Sequence, residues 1–175
     1  MLAPCLAVLP VLSLVVGLLL GGSTGAAEAS SARTTIVQYA RVVSVADGDT
    51  VNVRLTRSGA YRRVRLLGID TPEVYGPVVE CGGPEASVAM KKMLPAGTFV
   101  KLVSDTSQAA VDRYGRLLRY VSRYSDGKQV NRAQVYLGHA TVYVYHGVPF
   151  RRTRDYRVAE SAARAAPRGI WKSCP

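Results

Sequence analysis

Apolar and polar residues alternate along several short stretches of this chain and recur at helical spacing along others. Residues 34–45 are rich in β-branched side chains and predict a first strand, with Tyr39 inside it. After Asp47-Gly48, the run Val51-Asn52-Val53-Arg54-Leu55 alternates strictly, so one face of a second strand is buried. Ser58-Gly59 turns the chain back, and residues 61–69 predict a third strand, completing a meander. Pro84 then opens a helix, where its missing N–H costs nothing. Ala86, Ala89, Met90, Met93 and Leu94 fall on one face of that helix, so the methionines read as core rather than as ligands. Lys91 and Lys92 lie on its wet face, and Pro95-Ala96-Gly97 ends it. Residues 98–104 and 115–124 predict two more strands, the second closed by Ser125-Asp126-Gly127-Lys128. Residues 130–137 form a short helix stopped by Gly138. Residues 153–166 form a last helix with Tyr156, Ala159 and Ala163 on one side, after which Ile170-Trp171 should tuck back onto the domain.

Five strands with one helix between the third and fourth place the chain in the mainly β, α+β class. They fit a small, closed, five-stranded barrel of the OB type with three helices. No internal repeat or second domain is expected. Residues 1–32 differ from the rest: residues 6–20 are apolar except for Pro10, Ser13 and Gly17, and small residues follow. That pattern reads as an export signal or leader, with Ala27-Glu28-Ala29 or Ser30-Ser31-Ala32 as the cleavage region and 33–175 as the mature domain. The run is shorter than the roughly 20 apolar residues of a spanning helix. No Lys or Arg precedes it, so an uncleaved leader anchoring the protein to the outer face of a membrane stays open.

The 175 residues carry 23 Lys and Arg against 12 Asp and Glu, a net charge of +11. Without residues 1–32 only Glu28 is lost, and the balance becomes +12. A domain so basic attracts polyanions, although a cationic surface kept for solubility has the same charge. Cys5 lies in the leader, which leaves Cys81 and Cys174 as an even pair in an exported chain. A disulfide between them would close a long loop and contribute roughly 4–5 kcal/mol in the chain-entropy model. The spacing does not suggest a zinc site.

The run Arg65-Leu66-Leu67-Gly68-Ile69-Asp70-Thr71-Pro72-Glu73 begins as a strand and breaks abruptly, because Pro72 has no donor and pushes Thr71 out of regular structure. Carboxylates at such a strand end suit a hard cation, although a polar turn in water has the same composition. Arg65 and Asp70 are five residues apart, so a regular strand would point them to opposite faces. If both serve one site, the strand must bulge or twist between them, and Gly68 is the residue that permits it. Two other stretches carry chemistry: the turn Asp47-Gly48-Asp49-Thr50, and Asp112-Arg113-Tyr114-Gly115-Arg116 before the last strand.

These three stretches in this order, with Gly83-Pro84-Glu85-Ala86-Ser87 between the second and third, resemble the staphylococcal nuclease (thermonuclease) family over about residues 42–171. The resemblance implies a Ca2+ ion held by Asp49, Asp70 and the backbone carbonyl of Thr71. It implies that Glu73 positions the attacking water and acts as its base, and that Arg65 and Arg116 bind phosphate. A planar guanidinium fork suits two phosphate oxygens at once. It further implies substrate contacts from Arg113 and Tyr114 and from Tyr143 and Tyr145, aromatics that would flank the base; either of the last two could instead be packing. His139 and His146 have no carboxylate motif attached and read as loop or surface residues.

The expected function is that of an exported, Ca2+-dependent, sugar-non-specific nuclease, acting as a monomer on DNA and RNA and favouring single strands. Three carboxylates from two turns should converge on one oxygen-lined pocket, with the two arginines across from it. A non-catalytic OB module that binds single strands, and a cationic cell-surface protein, are the alternatives.

Overall fold

The computed structural model describes residues 33–174; the leader assigned above lies outside the described residues. Five strands close into a barrel: β1 (Val37–Val45), β2 (Thr50–Leu55), β3 (Tyr61–Leu66), β5 (Phe99–Val103) and β6 (Leu117–Arg123). Around the barrel the order is β1, β2, β3, β6, β5, with β5 pairing back onto β1. All pairings are antiparallel except β3 with β6, the step that an intervening helix makes possible. The alternation read from the sequence is the barrel's inside and outside. Val51, Val53, Val64, Leu66, Val100 and Leu102 are buried, while Arg54, Tyr61, Arg63 and Lys101 face outward.

Helices α1 (Gly83–Met93), α2 (Val130–Tyr136) and α3 (Thr153–Ala165) enclose the core. Helix α1 buries Ala86, Met90 and Met93, so these methionines are core residues. Helix α3 buries Tyr156, Ala159 and Ala163. Each large apolar side chain so placed contributes roughly 1.5–3 kcal/mol of transfer free energy. A single-turn helix, α4 (Ile170–Ser173), follows Gly169, and the Ile170 N–H donates to the Gly138 carbonyl at 2.9 Å. Cys81 and Cys174 are joined, which ties the end of α4 to the segment before α1.

Helix α2 holds the site in place with two buried amides. The Asn131 Nδ2 donates to the carbonyls of Leu67 (3.0 Å) and Arg119 (3.1 Å), and its Oδ1 accepts from the Val121 N–H at 2.8 Å. Gln134 Nε2 donates to the carbonyls of Gly48 (2.7 Å) and Ala86 (3.1 Å). Buried carbonyls have to find donors, and these two side chains supply them to both motif turns.

The third strand is shorter than the pattern predicted. It ends at Leu66, and Ile69–Asp70 forms a separate strand β4 paired with β7 (Thr141–Val142). The reason is Gly68, at φ +78°, where only glycine sits without strain. A Cβ there would lie 2.5 Å from the Phe150 ring. We therefore expect Gly68→Ala to lose about 3 kcal/mol of stability in urea unfolding, from left-handed strain and overpacking together.

Candidate active site

The Asp47–Thr50 turn delivers Asp49 into the protein. The Asp47 Oδ1 accepts from the Asp49 N–H at 3.0 Å, an Asx turn that closes the loop. Gly48 is required by close approach: a Cβ there would lie 2.6 Å from Thr71 Oγ1 and 2.8 Å from Ala86. The Asp49 carboxylate is buried and accepts from the Thr71 N–H (3.1 Å), the Thr71 hydroxyl (3.0 Å) and the Thr50 hydroxyl (3.1 Å).

Arg65 completes this arrangement. Its Nη1 is 2.6 Å from Asp49 Oδ2 and donates to the Ile69 carbonyl at 2.8 Å, while its Nη2 donates to Asp70 Oδ1 at 2.6 Å. The break at Gly68 thus lets Arg65 and Asp70 meet. One guanidinium is shared by two carboxylates, one buried and one half exposed. Burial pushes the Asp49 carboxyl up to about 6, against the opposing pull of Arg65, with Asp47 raising it further and the Thr71 donors lowering it.

The second half of the site is the loop before β6. Asp112 Oδ1 accepts from the backbone N–H groups of Tyr114 and Arg116, both at 2.9 Å, and its Oδ2 accepts from Arg116 Nε at 2.7 Å. These bonds to its ionised form lower the Asp112 pKa, although partial burial opposes them. Because Asp112 takes the Nε, both Nη groups of Arg116 are left without a hydrogen bond among the described residues. The Tyr114 ring lies beneath two guanidinium groups, 4.9 Å from Arg113 and 5.4 Å from Arg116.

Both halves open onto one cavity of about 380 Å³, to which Arg65, Asp70, Arg113, Tyr114 and Arg116 all contribute. Tyr143 and Tyr145 form its aromatic side; they are 45% and 54% exposed, so neither is core packing. Asp49 and Thr71 lie behind Arg65 rather than in the cavity wall. Arg65 itself stands between the two aspartates, not across from them as expected.

Glu73 is not brought into this group. It is exposed and its carboxylate makes no ion pair among the described residues. Its backbone is held by Glu80, whose N–H donates to the Glu73 carbonyl and whose Oε2 accepts from the Glu73 N–H, both at 3.0 Å. No cluster of three or more His, Cys, Asp or Glu suited to a metal occurs among the described residues. His146 is exposed on a tight turn, and His139 sits in the loop after α2, half-buried, with its pKa lowered by burial.

The family model described as "Staphylococcal nuclease homologue" matches residues 63–173, more than half of the chain. The chain belongs to the staphylococcal nuclease homologue family. A relative named "Uncharacterized endonuclease", from Escherichia coli O157:H7, is 36% identical over 137 residues, covering 76% of each chain. The "SPbeta prophage-derived endonuclease YokF" of Bacillus subtilis is 38% identical over 129 residues, 71% of this chain and 41% of that one. An uncharacterized protein of Bacillus anthracis is 32% identical over 133 residues, and the match spans 59% of its length.

Within this family member, four supporting residues had no role assigned from the sequence: Asp112, Glu80, Asn131 and Gln134. Asp112 carried a signal, since an Asp two residues before the Tyr114-Gly115 turn is placed to cap its backbone. Asn131 and Gln134 carried none, because their partners Leu67 and Gly48 are remote in sequence, and Glu80, seven residues from Glu73, lies in a loop with no periodicity to place it.

The raised Asp49 carboxyl has a consequence for stability. Between about 4 and about 6 the folded chain keeps a proton that the unfolded chain has released, so stability falls as the pH rises through that interval. We expect the unfolding free energy of the wild type, relative to Asp49→Asn, to fall by an amount on the order of 1–3 kcal/mol across that range. Urea titrations at each pH measure it, and a flat difference would contradict the assignment.

Proposed function

We propose that this chain is an exported, Ca2+-dependent nuclease that hydrolyses phosphodiester bonds of DNA and RNA without sugar preference. The observation that carries the reading is the sharing of Arg65 between Asp49 and Asp70 at the edge of a cavity that also holds Arg116, paired to Asp112 through Nε alone. The endonuclease names of the Escherichia coli and Bacillus subtilis relatives support it. Export is supported by the apolar leader pattern and by the Cys81–Cys174 bond.

The donor set fits a hard cation. Two carboxylates already share one positive group, and a buried carboxyl raised to about 6 gains most from a cation that keeps it ionised. Asp49 and Asp70, with the Thr71 carbonyl, would hold Ca2+, which supplies charge neutralisation and polarises a phosphate oxygen. Every other part of the reaction falls to the chain's own groups. Arg116 offers both Nη groups to the non-bridging phosphate oxygens. Arg65 gives up a carboxylate to do the same, and both gain as charge builds on those oxygens in the transition state. Glu73, exposed and unpaired, positions the water and accepts its proton as the new P–O bond forms. The P–O5′ bond breaks, the 5′ oxygen takes a proton from solvent, and the 3′ end keeps the phosphate. Tyr143 and Tyr145 offer faces on which any base can stack, so sequence preference is low and single strands fit best.

The separation of Glu73 from the other carboxylates also favours a second reading, a module of the same fold that binds single strands without cutting them. Incubation with DNA in calcium and then in EDTA distinguishes the two: cleavage confined to calcium is expected here, and retarded but intact DNA in both marks the binder. Arg116→Ala should lower kcat by about 10²–10³-fold, and Glu73→Gln by about 10²–10⁴-fold, with both variants folded. Independently of activity, calcium at about a hundredfold its Kd should stabilise the wild type by about 2.7 kcal/mol. Asp49→Asn should lose that gain in thermal unfolding.

A further inference from the structure

The outward face of the barrel, beyond the cavity, carries arginines in register with aromatic rings and no carboxylate. Strands β1, β2, β3 and β5 contain no Asp or Glu at all. Pairing places Arg41 opposite Arg54, Arg54 opposite Tyr61, and Arg41 opposite Phe99. One row across four strands therefore reads Phe99, Arg41, Arg54, Tyr61. Like charges directly opposite each other destabilise a sheet, and this one keeps Arg41 against Arg54 with no acidic partner. Among the described residues, none of Arg41, Arg54, Arg63 and Lys101 is in an ion pair.

At one end of the row Tyr39, Phe99 and Tyr124 form an aromatic cluster with ring centroids 5.0–5.9 Å apart, and Tyr124 is 61% exposed. At the other end the row joins the cavity. Tyr61, Arg63 and Arg65 alternate on β3 and so share its outer face, and Arg65 is the guanidinium that grips the two aspartates. Tyr61 to Arg65 spans roughly 13 Å.

We propose that this face is a second binding surface, for the backbone and bases of single-stranded nucleic acid, that leads the strand to the cavity. The proposal rests on the nuclease reading above. Guanidinium groups with no carboxylate partner, Arg41 and Arg54 donating only to the Gly97 and Gly59 carbonyls, attract successive phosphates, and the exposed rings accept bases of any identity. The row of two guanidinium groups flanked by rings favours a nucleic acid, which offers phosphates and stacking bases side by side, over an anionic membrane.

The test compares the wild type with Arg41→Ser/Arg54→Ser/Arg63→Ser, none of which belongs to the catalytic set. Binding of a labelled single strand of about 16 nucleotides is measured in EDTA by anisotropy at several salt concentrations, with strand integrity checked on a gel. Cleavage of a dinucleotide is measured in calcium. The triple variant should bind the long strand roughly tenfold more weakly, with a salt slope smaller by about 2, while turning over the dinucleotide at the wild-type rate. Unchanged affinity and salt slope would overturn the proposal, as would binding to anionic vesicles that depends on the three arginines while strand affinity does not. If the wild type binds the strand through this face but cleaves nothing in calcium, the nuclease reading fails and the surface stands. Should the triple variant not fold, footprinting of the wild type decides. The strand must protect Tyr61 and Tyr124 from tyrosine-specific modification, and equal labelling with and without it would reject the surface.

Discussion

A carboxylate taken out of water has to be met by donors, and the way Asp49 is met organises this molecule. Its three hydroxyl and amide donors come from Thr50 and Thr71, and the Arg65 guanidinium from β3, segments that are distant in sequence. Satisfying one buried charge therefore clamps the Asp47–Thr50 turn against the strand end at Thr71. The clamp is costly. Burial raises the Asp49 carboxyl to about 6 even with an arginine against it, so its ionised form is held near the edge of stability. A site in that condition gains from any added positive charge, and that preference follows from solvation rather than from a particular metal geometry.

The same logic of satisfied polar groups extends to the supports. Asn131 and Gln134 bond the carbonyls of Leu67 and Gly48, so α2 holds both turns that carry the aspartates. Arg119 is almost fully buried yet donates to the Ala110 and Leu118 carbonyls and to Gln38 Oε1. That fixes the loop leading to Asp112 and Arg116. Asp105 binds the other end of the same loop, accepting from the Tyr120 hydroxyl, Ser107 and the Arg151 N–H. The cavity wall is thus built from loops whose backbone groups are bonded to buried side chains, which limits their freedom without adding regular structure. Glu73 differs. Its segment is tied by Glu80 and by the neighbouring disulfide, and its carboxylate faces water.

Charge is distributed with equal clarity. At the cavity Arg65 and Arg116 are paired with Asp49, Asp70 and Asp112 and Arg113 lies over the Tyr114 ring, while Arg41, Arg54 and Arg63 have no acidic neighbour on their strands. Paired guanidinium groups are oriented and give geometry; unpaired ones give attraction over a distance of about a Debye length. A polyanion would meet the second kind first and the first kind at the point of chemistry.

Alternation in residues 51–55 and the apolar helical face from Ala86 to Leu94 are local patterns, and the chain alone was enough to place them in a barrel with three helices. The three motif stretches were equally plain, since their residue types are contiguous. The alternation rule itself showed that Arg65 and Asp70 could meet only if the strand bulged or twisted between them, which Gly68 permits. Folding in three dimensions decided the rest. Arg65 lies between the aspartates because one buried carboxylate demanded it, and the Glu73 carboxylate faces water while its backbone is held by Glu80. Gln134 and Asn131 became supports because two distant carbonyls lacked donors. Periodicity reports which face a residue occupies; only the packed chain determines which buried polar group each side chain must satisfy.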